Sequence, residues 1–378
     1  MEKILLVPDS FKGTLSSRQV CQVMAGQLRR FFPQAQVKSI PVADGGEGSV
    51  EAFLAAAGGE RRMLTVTGPF GEPVEAFYGV LGDGRTAVIE MAACAGLPLA
   101  EGRLNPERAT TYGVGELLLA AKEAGCTKAI LGLGGSCTND GGAGAAAALG
   151  AKFTRADGTA FVPTGGTLGE IAALDVSPVA QALQGMELTA MCDIDNPLYG
   201  EAGAAAVFAP QKGADAAMVR RLDDGLRQLA ALLERDVGRD VLNLPGGGAA
   251  GGFGAGAAAF FASPLQMGID VVLALTDFDR RAADAALVIT GEGRLDSQSL
   301  QGKVVVGVAR RAKALGVPVA ALVGGSDTDV AAVYGEGVSG VFPINPLPQP
   351  FSEVRAHCRE NLRFTAENLM RFYRAVRR

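Results

Sequence analysis

The stretch Lys128–Gly144, Lys-Ala-Ile-Leu-Gly-Leu-Gly-Gly-Ser-Cys-Thr-Asn-Asp-Gly-Gly-Ala-Gly, constrains the fold more than any other. Ala129 to Leu133 is a short apolar run of the kind that makes a buried parallel strand. It then breaks into glycine, small hydroxyls and one carboxylate. Gly134, Gly135, Gly141, Gly142 and Gly144 remove side chains, so backbone N–H groups can approach an anion closely. The Ala-rich helix that follows would aim its positive end at the same place. Ser136, Thr138, Asn139 and Asp140 add polar groups at the tip. Strand, glycine loop and helix together are the usual phosphate cradle of open α/β sheets. No GxxxxGK[ST] occurs in the chain, so this is not a Walker A loop. Gly142, Gly144 and Ala147 fit only a loose GxGxxA, behind a loop too long for a dinucleotide fingerprint. The alternatives at this point are an anion or nucleotide site and a structural turn.

A chain of 378 residues suggests about two domains. Hydrophobic residues are 48% and charged residues 20%, enough for a sizeable core and against disorder. The net charge of −5 gives no electrostatic case for nucleic acid or an anionic membrane. Any anionic ligand must be held by local cations and backbone N–H groups. The six cysteines form no CxxC pair and there is one histidine, so no zinc constellation exists. The thiols read as reduced, which suits a cytoplasmic protein. The N-terminal apolar run is too short for a signal peptide, and Pro264, Gln266 and Asp270 interrupt the most apolar long region, Gly254 to Leu275. His357 lies in a charged, surface-type helix, which argues against Ser-His or Cys-His catalysis.

Taken in order, Lys3 to Val7 is strand-like and ends in Pro8-Asp9-Ser10-Phe11-Lys12-Gly13. Ser16 with Gln19 makes a capping box, and Val20, Met24, Leu28 and Phe31 recur at helical spacing. Ser10 and Lys12 sit where a phosphate or carboxylate would be met, or in a plain solvated turn. Val37 to Val42 is a second strand ending in Ala43-Asp44-Gly45-Gly46-Glu47-Gly48, either a carboxylate at work or an Asp-Gly turn. From Met63 to Met91 short, partly alternating strands replace the βα pattern, so a second domain begins near Arg62. Thr110 to Gly125 returns to an amphipathic helix. Met186 to Met191 is a strand ending in Cys192-Asp193-Ile194-Asp195-Asn196-Pro197-Leu198. Its two carboxylates at i and i+2 suit Mg²⁺, a hydroxyl to be oriented, or an Asx-type turn before proline. Gly246, Gly248 and Gly251 satisfy GxGxxG without a preceding strand, so a hinge or a backbone floor is as good a reading. The last third is βαβα, with strands at Ala286–Thr290, Val319–Val323 and Gly340–Ile344, and a long C-terminal helix from Ser352 to Val376.

The strands at Lys3, Val37, Ala129, Ala286, Val319 and Gly340 can make one parallel sheet whose loops converge on one edge. That expectation assigns 1–62, 110–150 and 280–378 to a Rossmann-like domain. It assigns 63–109 and 151–279 to a second, mixed α/β domain inserted in it, with the active site in the cleft.

Seven blocks then carry a resemblance. They are Pro8–Gly13, Ala43–Gly48, Gly132–Gly144, Cys192–Leu198, Phe208–Gly213 (Phe-Ala-Pro-Gln-Lys-Gly), Gly246–Gly252 and Thr290–Ser299. Together, in this order, they resemble the type-1 glycerate kinases of bacteria over nearly the whole chain. One local departure is Lys303-Val304-Val305-Val306, at a helix start. The resemblance implies ATP-dependent phosphorylation of D-glycerate, at the 2-hydroxyl to give 2-phosphoglycerate, with Mg²⁺ and a discontinuous two-domain α/β fold. Under it, Arg294 would grip the substrate carboxylate with Ser10, Asp296 and Asp44 nearby, and Lys12 would neutralise the transferring phosphoryl group. Asp193 would orient or deprotonate the attacking hydroxyl, with Asp296 its rival. Gly134, Gly135, Ser136 and Thr138 would hold ATP phosphates, and Asp44 and Asp195 the metal. Expected partners are glycerate and ATP, with no nucleic acid or membrane, for a monomer or homodimer. The rival readings are a 3-phosphoglycerate-forming kinase, a nicotinamide-dependent enzyme of hydroxy acids, and a non-catalytic sensor of a small anion.

Overall fold

The computed structural model describes residues 2–11, 13–42, 45–46, 48–296, 299–327, 331–347 and 350–377, with Gln301 by its backbone alone. Among them fourteen strands run in chain order. They are β1 (Lys3–Pro8), β2 (Gln36–Ser39), β3 (Gly59–Thr67), β4 (Pro73–Leu81), β5 (Thr86–Glu90), β6 (Lys128–Gly132), β7 (Lys152–Thr154), β8 (Ala160–Phe161), β9 (Ala173–Asp175), β10 (Glu187–Met191), β11 (Leu265–Gln266), β12 (Leu287–Glu292), β13 (Val319–Val323) and β14 (Val338–Pro343). The chain divides into two compact units, residues 1–43, 55–57 and 267–378 in the first and 44–54 and 58–266 in the second.

The first unit is an all-parallel sheet in the order β14-β13-β12-β1-β2. Counted within the unit this is the doubly wound order 2-1-3-4-5, which reverses between β1 and β12. Ligands of such sheets sit at that reversal, outside the carboxyl ends of the strands. β1 and β13 are apolar runs buried almost throughout, as strands covered on both faces must be. The helix Ser17–Phe31 starts at the expected capping box, with the Gln19 N–H donating to Ser16 Oγ and the Ser16 N–H to Gln19 Oε1. The C-terminal helix Phe351–Val376 buries the stripe Val354, Cys358, Leu362, Ala366, Leu369 and Met370 against that helix and leaves His357 in solvent.

The second unit is a six-stranded mixed sheet, β11-β10-β6-β5-β4-β3, with a small antiparallel sheet β8-β7-β9. Here one expectation is corrected. β6 does not join the first sheet: it pairs in parallel with β5 and with β10. The helix Tyr112–Glu123 is therefore the crossover of a β5-helix-β6 unit, and residues 110–150 belong with the β-rich segments. The physical reason is that β5 is buried at every position and needs a parallel neighbour on its open side. Among the described residues no helix is long and apolar enough to cross a membrane.

Candidate active site

Loop 133–142 follows β6. Its start is pinned to its own unit: the Gly134 N–H donates to Gly45 O at 3.0 Å, the Cys137 N–H to Ala95 O at 2.9 Å and the Leu97 N–H to Gly135 O at 2.9 Å. The N–H groups of Gly135, Ser136 and Thr138 have no acceptor among the described residues. The following helix, Ala143–Ala148, is six residues long, and its positive end is not offered outward. Asp140, fully buried, occupies it. Its carboxylate accepts from the N–H groups of Gly142 (3.1 Å) and Gly144 (3.3 Å) and from the N–H (2.8 Å) and hydroxyl (2.9 Å) of Thr111. Burial pushes this carboxyl up, and those donors pull it back toward the charged form.

Behind the loop lies a side chain that the sequence reading passed over. Lys212 ends the short turn Pro210–Lys212 and is 2% exposed. Its Nζ donates to Ser136 Oγ at 2.9 Å and to Thr138 O at 2.6 Å. Burial brings this ammonium down to about 8, against the fields of Cys137 and Asp140. Thr138 Oγ1 and both amide atoms of Asn139 are buried without a partner. Lys212 lies in the block Phe208–Gly213, but nothing local there marks it as buried.

Asp193 is half-buried and Asp195 exposed on the turn after β10. The glycine-dense segment 246–256 packs on loop 138–142 and carries no dinucleotide fingerprint. Gly251 has φ +68°, and a Cβ there would stand 2.1 Å from Thr138 O. A Cβ on Gly256 would stand 2.1 Å from Gly141 O. These glycines let two backbones touch, which is the floor reading with a loop in place of a ligand.

On the first unit the carboxyl edge gathers residues distant in sequence. The Ser10 N–H donates to Asp9 Oδ1 at 2.6 Å after β1. The loops after β12 and β13 are joined by the Leu295 N–H to Gly325 O (2.9 Å) and the Asp327 N–H to Leu295 O (3.0 Å). Arg294 is exposed and paired with Asp327 at 2.9 Å. It lines a cavity of about 390 Å³ with Phe11, Asn345, Phe351 and Arg355. Asp296 caps the turn through its Oδ1, which accepts from the Ser299 N–H at 3.3 Å. Lys12 and Asp44 lie outside the described residues. Ser10, Arg294 and Asp296 thus share the first unit, while Gly134–Thr138, Asp193 and Asp195 share the second.

Glu292, at the end of β12, was also missed, because the apolar run stops at Thr290 and leaves this carboxylate in the glycine loop that follows. It is 5% exposed and accepts from the Ser299 hydroxyl. Burial foremost, with the charges of Asp9 and Asp296, pushes it up to about 7 against the Ser299 bond and the Lys303 charge. The folded chain therefore holds this proton better than the unfolded chain. The stabilisation is complete below the ordinary value near 4.5 and is lost as pH rises through about 7. Glu292→Gln should remove that dependence. Thermal melts at pH 4.5 to 8 should show the wild type losing Tm relative to the variant across this window, and a constant difference would discard the assignment.

The comparisons with known proteins agree with one another. The profile of the Glycerate kinase family matches residues 4–374. The chain is 44% identical over 368 residues to a glycerate kinase of Bacillus subtilis (strain 168), covering 97% of this chain and 96% of that one. It is 46% identical over 344 residues to a glycerate 2-kinase of Escherichia coli (strain K12), covering 90% of each. A crystal structure of a protein assigned as glycerate kinase 2 from Salmonella typhimurium LT2 superposes with a TM-score of 0.87 at 42% identity, covering 100% of this chain and 99% of that one.

Proposed function

Because this chain belongs to the glycerate kinase family, we propose that it transfers the γ-phosphoryl group of ATP to the 2-hydroxyl of D-glycerate, giving 2-phosphoglycerate and ADP. The observation that carries this is whole-length likeness to glycerate kinases, one of them named a glycerate 2-kinase. Phosphorus NMR of the product from ATP and D-glycerate tests it. A 3-phosphoglycerate signal would move the acceptor, and glycerate binding without ADP release would leave only a sensor.

Phosphoryl transfer asks the protein mainly for positioning and charge neutralisation. Loop 134–138 supports the ATP phosphates through the N–H groups of Gly135, Ser136 and Thr138, which have no acceptor among the described residues. Asp193 orients the attacking hydroxyl and takes its proton, with Asp296 the rival base. Ser10 contacts the substrate, and Lys12 neutralises the transferring group. Mg²⁺ generally takes one or two carboxylates and completes its shell with water and phosphate oxygens. Asp195, an exposed carboxylate, fits that donor requirement, with Asp44 as its partner. When bound, the ion neutralises charge on the phosphate oxygens.

Arg294 grips the glycerate carboxylate. Its present partner Asp327 is exposed, so the exchange of one carboxylate for another costs little desolvation. Arg294→Lys keeps the charge but loses the planar fork. It should raise KM for glycerate about tenfold while kcat changes little, the loss expected of one charge-assisted bond. Steady-state kinetics with glycerate varied checks this, and an unchanged KM removes Arg294 from the carboxylate site.

A further inference from the structure

We propose that Lys212 is a positioning residue of the nucleotide site: enclosed behind loop 134–138, its ammonium holds the Ser136 hydroxyl with its proton free for a phosphate oxygen and lends the loop positive charge. This rests on the reading of that loop as the support for the ATP phosphates.

The argument starts from donors and acceptors. An ammonium has three protons and no acceptor. Nζ donates to Ser136 Oγ and to Thr138 O, so the serine oxygen is an acceptor in that bond. The Ser136 proton must point elsewhere, and no described residue receives it. The N–H groups of Gly135, Ser136 and Thr138 are likewise without acceptors. The loop therefore presents donors and a cation behind them, and this arrangement answers an anion. The buried Thr138 Oγ1 and Asn139 amide beside it, without a partner among the described residues, show a polar interior whose bonds those residues leave incomplete.

Burying a lysine is costly, and a merely structural role would be met more cheaply by an apolar side chain. The groups that bear on the ammonium are the Asp140 carboxylate and the Cys137 thiol, both from the loop side. The thiol is pushed up to about 11 by burial and stays protonated near neutrality. Asp140 is held by its four donors. Lys212 is thus the group of this cluster whose charge changes near pH 8.

The sign follows. An anion on the loop favours the charged ammonium, so the nucleotide-bound form holds its proton to higher pH. Affinity is complete below about pH 8 and falls above it until the bound form also deprotonates. Near pH 8, binding should draw roughly 0.4 proton from solution, because the free group is about half charged there.

The experiment is calorimetric titration of the full chain with ADP at pH 8, in Tris and in HEPES, whose ionisation enthalpies differ. The variants are Ser136→Ala, Gly135→Ala and Lys212→Met. The expected result is proton uptake in the wild type, uptake retained with several-fold weaker binding in Ser136→Ala, and at least tenfold weaker binding without uptake in Lys212→Met. If Lys212→Met does not fold, wild-type uptake that persists in Ser136→Ala supports the proposal, and its absence from the wild type overturns it. Wild-type uptake that persists unchanged in Lys212→Met also overturns it, even when Ser136→Ala weakens binding. Unchanged ADP affinity in both Ser136→Ala and Gly135→Ala fails the loop reading itself, and the proposal with it.

Discussion

Replacing Asp193 by asparagine should lower kcat about 10²-fold or more, the usual contribution of a positioned general base. KM for ATP and for glycerate should change less than kcat, because asparagine keeps the shape while losing the charge and the basicity. The surrounding turn gives this substitution its clean reading. The Cys192 N–H donates to Gln266 O at 2.9 Å, and the Gly248 N–H to Asn196 O at 2.9 Å. The Cys192 thiol donates to Ile194 O at 3.3 Å, and the Asn196 amide to Ala202 O at 2.8 Å. The backbone on both sides of Asp193 is thus tied down by its neighbours. A coupled assay for ADP measures the effect. A wild-type kcat would transfer the role to Asp296, whose own asparagine variant would then carry the loss.

The second large effect concerns stability. Gly251→Ala should cost about 3 kcal/mol, from a left-handed φ that L residues avoid together with overpacking. The angle is +68° and the new Cβ would stand 2.1 Å from Thr138 O. That oxygen also accepts from Lys212 and belongs to the loop that carries Ser136. The same backbone bears the bond from the Gly141 N–H to Gly251 O at 3.0 Å, so neither strand of the contact can move alone. Gly158→Ala is the control: its φ is +83° but its Cβ would meet nothing within 4 Å. It should cost only the conformational part, about 1 kcal/mol. Melting curves of the two variants decide the matter. Equal losses of Tm would mean that the crowding at Thr138 relaxes at no cost.

Local patterns were readable from residues alone. The Ser16/Gln19 capping box, the stripe of Val354, Cys358 and Leu362, and the strand Val319–Val323 all stand where spacing puts them. Which sheet a strand joins was not readable for β6, since a buried parallel strand is the same apolar run in either unit. β5, whose buried face decides the matter, lies about forty residues upstream. The expectation for the helix after the glycine loop failed for a related reason. Spacing shows a short helix with a carboxylate before it, but the closure of Asp140 onto Thr111 is a contact across 29 residues. Lys212 is a stronger case. Its partners are 76 and 74 residues away, so nothing near Pro210 signals its burial. The small sheet β8-β7-β9 had strands of two and three residues, too short for any periodicity to register.

The carboxylate of Asp140 does for its own chain what a bound phosphate does elsewhere: it quenches the exposed amides of a helix start. The mould is therefore cast before any guest arrives. On the proposed reading of loop 134–138, little conformational entropy would be left to lose when a nucleotide docks, and its departure would leave the contour standing for the next turnover.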